Sequence, residues 1–146
     1  MSFVHVTGPN DFQMSTVHSF TGNLPELLMA MAQDGRILIC IAEFQNDQYI
    51  QFRVSSSGAI TEVVSNQVLN DTNELSSRDE DSLRLFGFQE PSSAQRPNWR
   101  YEVANSTDIA EIVNIANAAI TRALHASLSD PVKIKTFDVS GDSRFG

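Results

Sequence analysis

Lysine is nearly missing from this sequence. Lys133 and Lys135 are the only two among 146 residues, and ten basic residues face eighteen acidic ones, for a net charge of −8. Nucleic acid is a poor partner for such a chain, because binding a phosphate backbone takes clustered cations that displace counterions. An anionic membrane surface is disfavoured for the same reason. A single cysteine, Cys40, excludes an internal disulfide and suits a reducing compartment. The start, MSFVHVTGPNDF, lacks both a basic stretch and a long apolar one, so no secretion signal is expected. The run Ile37 to Ala42, as long as any apolar run in the sequence, is far too short to span a bilayer. Together these absences predict a soluble, cytoplasmic protein with no nucleic-acid or membrane partner.

Absences also limit the chemistry. His5, His18 and His125 stand far apart, without the spacing of metal ligands. Cys40 lies in the most apolar stretch, where thiolate formation is disfavoured. Asp79, Glu80 and Asp81 are consecutive, and consecutive residues on a helix diverge, so they read as a solvated helix start. Asn105-Ser106-Thr107 matches a glycosylation sequon but reads as a helix cap, and Gly141-Asp142-Ser143 lacks the context of a nucleophile elbow. No glycine-rich phosphate loop occurs. The expectation is a non-enzymatic protein with no catalytic residue, no cofactor and no metal.

What is present is a hydrophobic content of 41%, enough for one domain spanning residues 1–146. Phe3, Val4, Val6, Phe12, Val17 and Phe20 suggest a strand and a short helix, closed by Gly22-Asn23 as a breaker. NLPELLMAMAQDG then predicts a helix with Asn23 as its cap and Leu24, Leu27, Leu28 and Met31 on one face. RILICIAEF predicts a buried strand, QYIQFRV a half-buried one with Ile50, Phe52 and Val54 inward, and AITEVVSN a third. Short turns at Asn46-Asp47 and Ser55 to Gly58 make these an antiparallel meander.

Ser77 with Glu80 predicts a capping box for the next helix, and Gly87, between Phe86 and Phe88, a left-handed stop. Glu90 to Pro97 reads as a polar loop. NWRYEVA predicts a fourth strand with Trp99, Tyr101 and Val103 inward. The strongest period belongs to a long helix from Asp108 to Leu128, capped by Thr107 or Asp108, with Ile109, Ile112, Val113, Ala116, Ile120, Ala123 and Leu124 along its stripe. VKIKTFDV offers one more strand near the end. Trp99 and Tyr101 suit a core, yet with Tyr49 and Gln51 they are also the candidates for a partner-binding surface.

In order and spacing, YIQF (49–52), EVVSNQVL (62–69), LFGFQEP (85–91) and NW (98–99) resemble the bacterial small-domain family related to type III secretion chaperones and YbjN-type proteins, a peptide-binding-chaperone-like group. The likeness spans residues 24–128, with 1–23 and 129–146 as flanks. It implies an α+β sandwich, a twisted antiparallel sheet of about four to five strands packed against helices. It further implies a homodimer that binds an extended segment of a protein partner on an apolar surface, with no catalytic residue. The alternative expectation is a regulatory or small-molecule-binding domain with its pocket between the sheet and the long helix, lined by Trp99 and Tyr101.

Overall fold

A computed structural model describes residue 6 and residues 11–104 and 108–140. Asn105-Ser106-Thr107 and Gly141-Asp142-Ser143 lie outside the described residues, as do His5 and most of the first ten residues. The class is α+β, as expected. The sheet is wider than expected, with six antiparallel strands in the order β1-β6-β2-β3-β4-β5. Its strands are β1 (Gln13–Thr16), β2 (Leu38–Glu43), β3 (Tyr49–Ser55), β4 (Gly58–Val63), β5 (Trp99–Val103) and β6 (Pro131–Asp138). The predicted meander is its centre. The additional width comes from the two flanks, which pair with each other, Gln13 opposite Ile134 and Ser15 opposite Val132.

Three helices are present among the described residues: α1 (Val17–Gln33), α2 (Ser77–Leu85) and α3 (Ile109–Ala118), the last extended by a wide π-type turn at Ala119–Ala123. Helix α1 packs against β3 and against α3, and α3 packs against β4 and β5. The residues beneath them alternate along the strands. Ile50, Phe52 and Val54 on β3, and Val63 and Ala59 on β4, have at most 2% of their surface exposed. Ile109, Ile112, Ala116 and Ile120 face them from α3 and its last turn and are buried to the same degree.

Helix α1 differs most from expectation. Gly22-Asn23 does not break it, and Asn23 is not its cap. It begins seven residues earlier, on Thr16, whose hydroxyl accepts from the Ser19 N–H at 3.1 Å. Two more first-turn donors are satisfied by a distant segment: the Val17 N–H donates to Asp130 O at 2.9 Å and the His18 N–H to Leu128 O at 2.8 Å. Helix ends need such partners for their unpaired N–H groups. A helical Gly costs about 1 kcal/mol and an interior Pro about 3 relative to Ala. Burial of Val17, Phe20, Leu24, Leu28 and Met31 along one stripe offsets both at Gly22 and Pro25.

The long closing helix is shorter than its period suggested. It ends near Leu124 and not at Leu128, because the π-type turn lets the Leu124 N–H donate to Ala119 O and His125 takes a left-handed conformation, φ +54°. Asp108 stands at its N-cap but makes no side-chain capping bond. The capping box of α2 is displaced by one residue from Ser77 and Glu80. Ser76 accepts from the Asp79 N–H at 3.1 Å and Asp79 accepts from the Ser76 N–H at 3.3 Å.

Candidate functional site

The four candidate residues fall on opposite sides of the sheet. Tyr49 and Gln51 lie on β3 with side chains away from the helices, half-buried. Trp99 and Tyr101 lie on β5, opposite Val63 and Thr61 of the helix-covered face. Trp99 is 1% exposed, so it is a core residue that offers no surface to a partner. Its ring sits beneath the Arg84 guanidinium, 5.3 Å from the ring centroid, and Arg84 is itself held by Glu90 at 2.8 Å and Asp81 at 2.7 Å. Tyr101 donates its hydroxyl to Glu111 at 2.6 Å, tying β5 to the first turn of α3. That bond to a carboxylate, with some burial, raises the Tyr101 pKa, so the donor stays protonated. The region between the sheet and α3, where the alternative reading places a ligand, is occupied by these side chains and the buried isoleucines of α3.

The quoted motifs prove architectural. Gly87 has φ +97°, the Phe88 N–H donates to Leu83 O and the Gly87 N–H to Arg84 O, the bonding of a glycine-closed helix end. Leu83 and Phe88, which flank that closure, are both buried. In VSNQVL, Ser65 donates to the carbonyl of Pro97, and Asn66 brackets Leu75, donating to its carbonyl at 3.0 Å and accepting from its N–H at 2.7 Å. Asn98 is 6% exposed and donates to Tyr49 at 3.1 Å and to Glu62 at 3.2 Å. It thereby fixes the Tyr49 ring, whose pKa is raised by burial and by the charges of Glu62 and Glu43 against the opposing effect of Asn98.

Cys40 is fully buried on β2, and burial pushes its thiol up to about 12, so it is no nucleophile at neutral pH. His125 reaches Asp79 at 2.6 Å across a groove between α2 and the end of α3. Among the described residues, no three or more His, Cys, Asp or Glu side chains gather as a metal site would require, and no helix is long and apolar enough to cross a membrane.

What distinguishes the molecule is the second face of its sheet, which no helix covers among the described residues. The register aligns Lys133, Glu43 and Tyr49 in one row, then Lys135, Ile41, Gln51, Glu62 and Arg100 in the next, then Phe137, Ile39, Arg53, Ile60 and Glu102. Nearly all are partly exposed, Ile39 being the buried exception. The two edges of the sheet differ. At β5, both the N–H and the carbonyl of Arg100 bond to Gln89, which closes that edge at its middle. At β1, the Val17 N–H bonds towards β6, so antiparallel alternation turns Ser15 towards β6 and the Met14 backbone groups outward. The Met14 side chain is 62% exposed beside them. Sequence reasoning missed this edge because β1 is short and its pairing partner lies more than a hundred residues away.

Among the described residues, helices cover one face of this antiparallel sheet and no further strand pairs with β1, a framework to which a peptide can add. The chain belongs to the family of T3SS (YopN, CesT) and YbjN peptide-binding chaperones, matching the model of its third group, TY-Chap3, over residues 18–134. No curated protein and no solved structure gave a match.

Proposed function

We propose that the chain acts on partner proteins as a homodimeric, non-enzymatic chaperone, holding an extended segment against the uncovered face of its sheet. The observation that carries this reading is the division of the sheet itself. Helices α1 and α3 bury one face, while the other runs half-exposed from Tyr49 and Gln51 to the β1 edge. Tyr49 is fixed by Asn98 and presents a preorganised aromatic body, and Gln51 presents both an amide donor and an acceptor. A peptide lying there meets alternating apolar and polar side chains, the pattern an extended segment presents in return. In this reading the whole chain works as one domain, in the cytoplasm, without a nucleic-acid or membrane partner.

Hydrogen exchange with and without a bound peptide tests the site. Protection should appear in β1 and β3 and leave α2 unchanged. Protection confined to α2 and α3 would overturn it. Size-exclusion chromatography with light scattering should give twice the chain mass at micromolar concentration, and a strict monomer would remove the homodimer from the reading.

A further inference from the structure

The arginines of this acidic chain fall into two groups. Arg36, Arg84 and Arg100 each lie against a carboxylate. Arg78 and Arg122 are exposed, and among the described residues neither forms an ion pair. Both line one groove, between the first turn of α2 and the end of α3, with a volume of about 620 Å³. That lies within the range of about 300–1,000 Å³ usual for small-ligand sites. Ser76, Arg78 and Asp79 form one wall, and Arg122 and His125 form the other.

Two backbone irregularities shape the second wall. Arg122 is carried on the π-type turn, Ala119–Ala123, and His125 stands at φ +54°. Such departures from regular backbone recur at ligand sites. Here they set His125 against Asp79 at 2.6 Å, and the Ser76 N–H donates to the same carboxylate at 3.3 Å. The one acid in the groove is therefore already bonded twice. The other acids of α2 are engaged elsewhere: Asp81 holds Arg84 at 2.7 Å, and Glu80 lines a separate notch beside Trp99. The Arg122 guanidinium lies over the Phe86 ring, 6.0 Å from its centroid, which steadies it and leaves its N–H edges to donate. The Ser76 hydroxyl accepts from the Asp79 N–H, so its own proton can be donated to a ligand.

Two guanidinium forks and a hydroxyl offer more donors than a single carboxylate can accept. The three oxygens and double charge of a phosphate monoester match them. The dipole of α2, whose start meets the groove, acts in the same sense. We infer that this groove is a second binding site, for a phosphate monoester held between Arg78 and Arg122, separate from the uncovered face of the sheet.

Titration of the purified full chain, followed by NMR of its backbone amides, tests the site. The probes are a phosphoserine heptapeptide, the same peptide with serine or glutamate at that position, and glycerol phosphate. The phosphate-bearing probes should shift amides of residues 76–82 and 121–125 saturably, while the serine and glutamate peptides bind at least about tenfold more weakly. The Arg78→Gln/Arg122→Gln variant should lose at least about tenfold in affinity for the phosphate-bearing probes. Arg96→Gln, which removes an exposed arginine outside the groove, should bind as the wild type does. Tighter binding of the phosphopeptide assigns the ligand to a phosphorylated protein, and tighter binding of glycerol phosphate to a small phosphate ester; either supports the site. A glutamate peptide that binds as well as the phosphopeptide overturns the phosphate specificity. Shifts confined to other regions, no saturable shift, or equal losses in the double variant and Arg96→Gln overturn the site itself. The wild-type shift map decides the matter alone should the double variant fail to fold. None of these results bears on peptide binding at β1 and β3, which contribute nothing to this groove.

Discussion

The two faces of β3 are built from alternate residues of one heptapeptide, YIQFRVS, and they have opposite physical characters. Ile50, Phe52 and Val54 lose all their exposure beneath the helices, whereas Tyr49, Gln51 and Arg53 keep part of theirs. The backbone is common to both, so side-chain choice alone decides which face stabilises the fold and which stays exposed. On the covered face every neighbour is a packing constraint. On the uncovered face neighbours come in charged and apolar pairs, which change affinity more readily than stability.

The largest effect that can break this contrast lies in α3. Ile112→Asp or Ile120→Asp puts a carboxylate where exposure is zero and apolar side chains surround it. An uncompensated buried charge costs several kcal/mol against a total stability of about 5–15 kcal/mol. Either variant should lack a cooperative thermal transition by circular dichroism. A melt close to wild type would mean that α3 does not cover the sheet.

The sharpest comparison uses adjacent residues. Phe52→Ala removes a fully buried ring that also packs against Phe20, with centroids 6.5 Å apart, and should cost about 3–5 kcal/mol. Gln51→Ala, the preceding residue on the other face, should stay within about 0.5 kcal/mol. Urea titration of both variants measures the difference. Comparable losses would show the uncovered face to be a second core, buried by something the single chain does not supply.

Gly87→Val comes next. The residue sits at φ +97°, and an added Cβ would lie 3.1 Å from Cε2 of Tyr101. A β-branched side chain in that conformation, pressed against a ring held by Glu111, should cost about 2 kcal/mol or more. Gly87→Asn should recover part of the loss, since Asn tolerates left-handed backbone better. An equal loss in both would assign the effect to the Tyr101 contact and not to backbone strain.

Much of this was legible because the signals are local. The meander follows from alternation in QYIQFRV and from Asn46-Asp47, both of which adopt positive φ in the turn. The stop at Gly87 follows from glycine's tolerance of that backbone. What was not legible depends on residues distant in sequence. The start of α1 relies on carbonyls of Leu128 and Asp130, and burial along its stripe carries the helix through Gly22 and Pro25. Strand β1 exists because β6 returns beside it. For the candidate site, Tyr49 and Gln51 follow from simple alternation. Trp99 also follows that alternation, but only the fold shows that its side of the sheet is the one the helices close.

The smallest effect concerns which serine begins α2, and it bears on the uncovered face by testing whether the helical layer is anchored independently of it. Ser76 holds the capping box with Asp79, and Asp79 also meets His125 at 2.6 Å, so this cap joins α2 to the end of α3. Ser76→Ala should cost about 1 kcal/mol, the usual value of a lost N-cap, and Ser77→Ala close to nothing. Neither should change the affinity of a peptide bound beyond the sheet, because α2 contacts the end of α3 on the covered side. Urea midpoints and peptide binding measured on both variants would check this. Weaker binding by Ser76→Ala would place α2 in communication with the far face and contradict the proposal that binding there is independent of the helical layer.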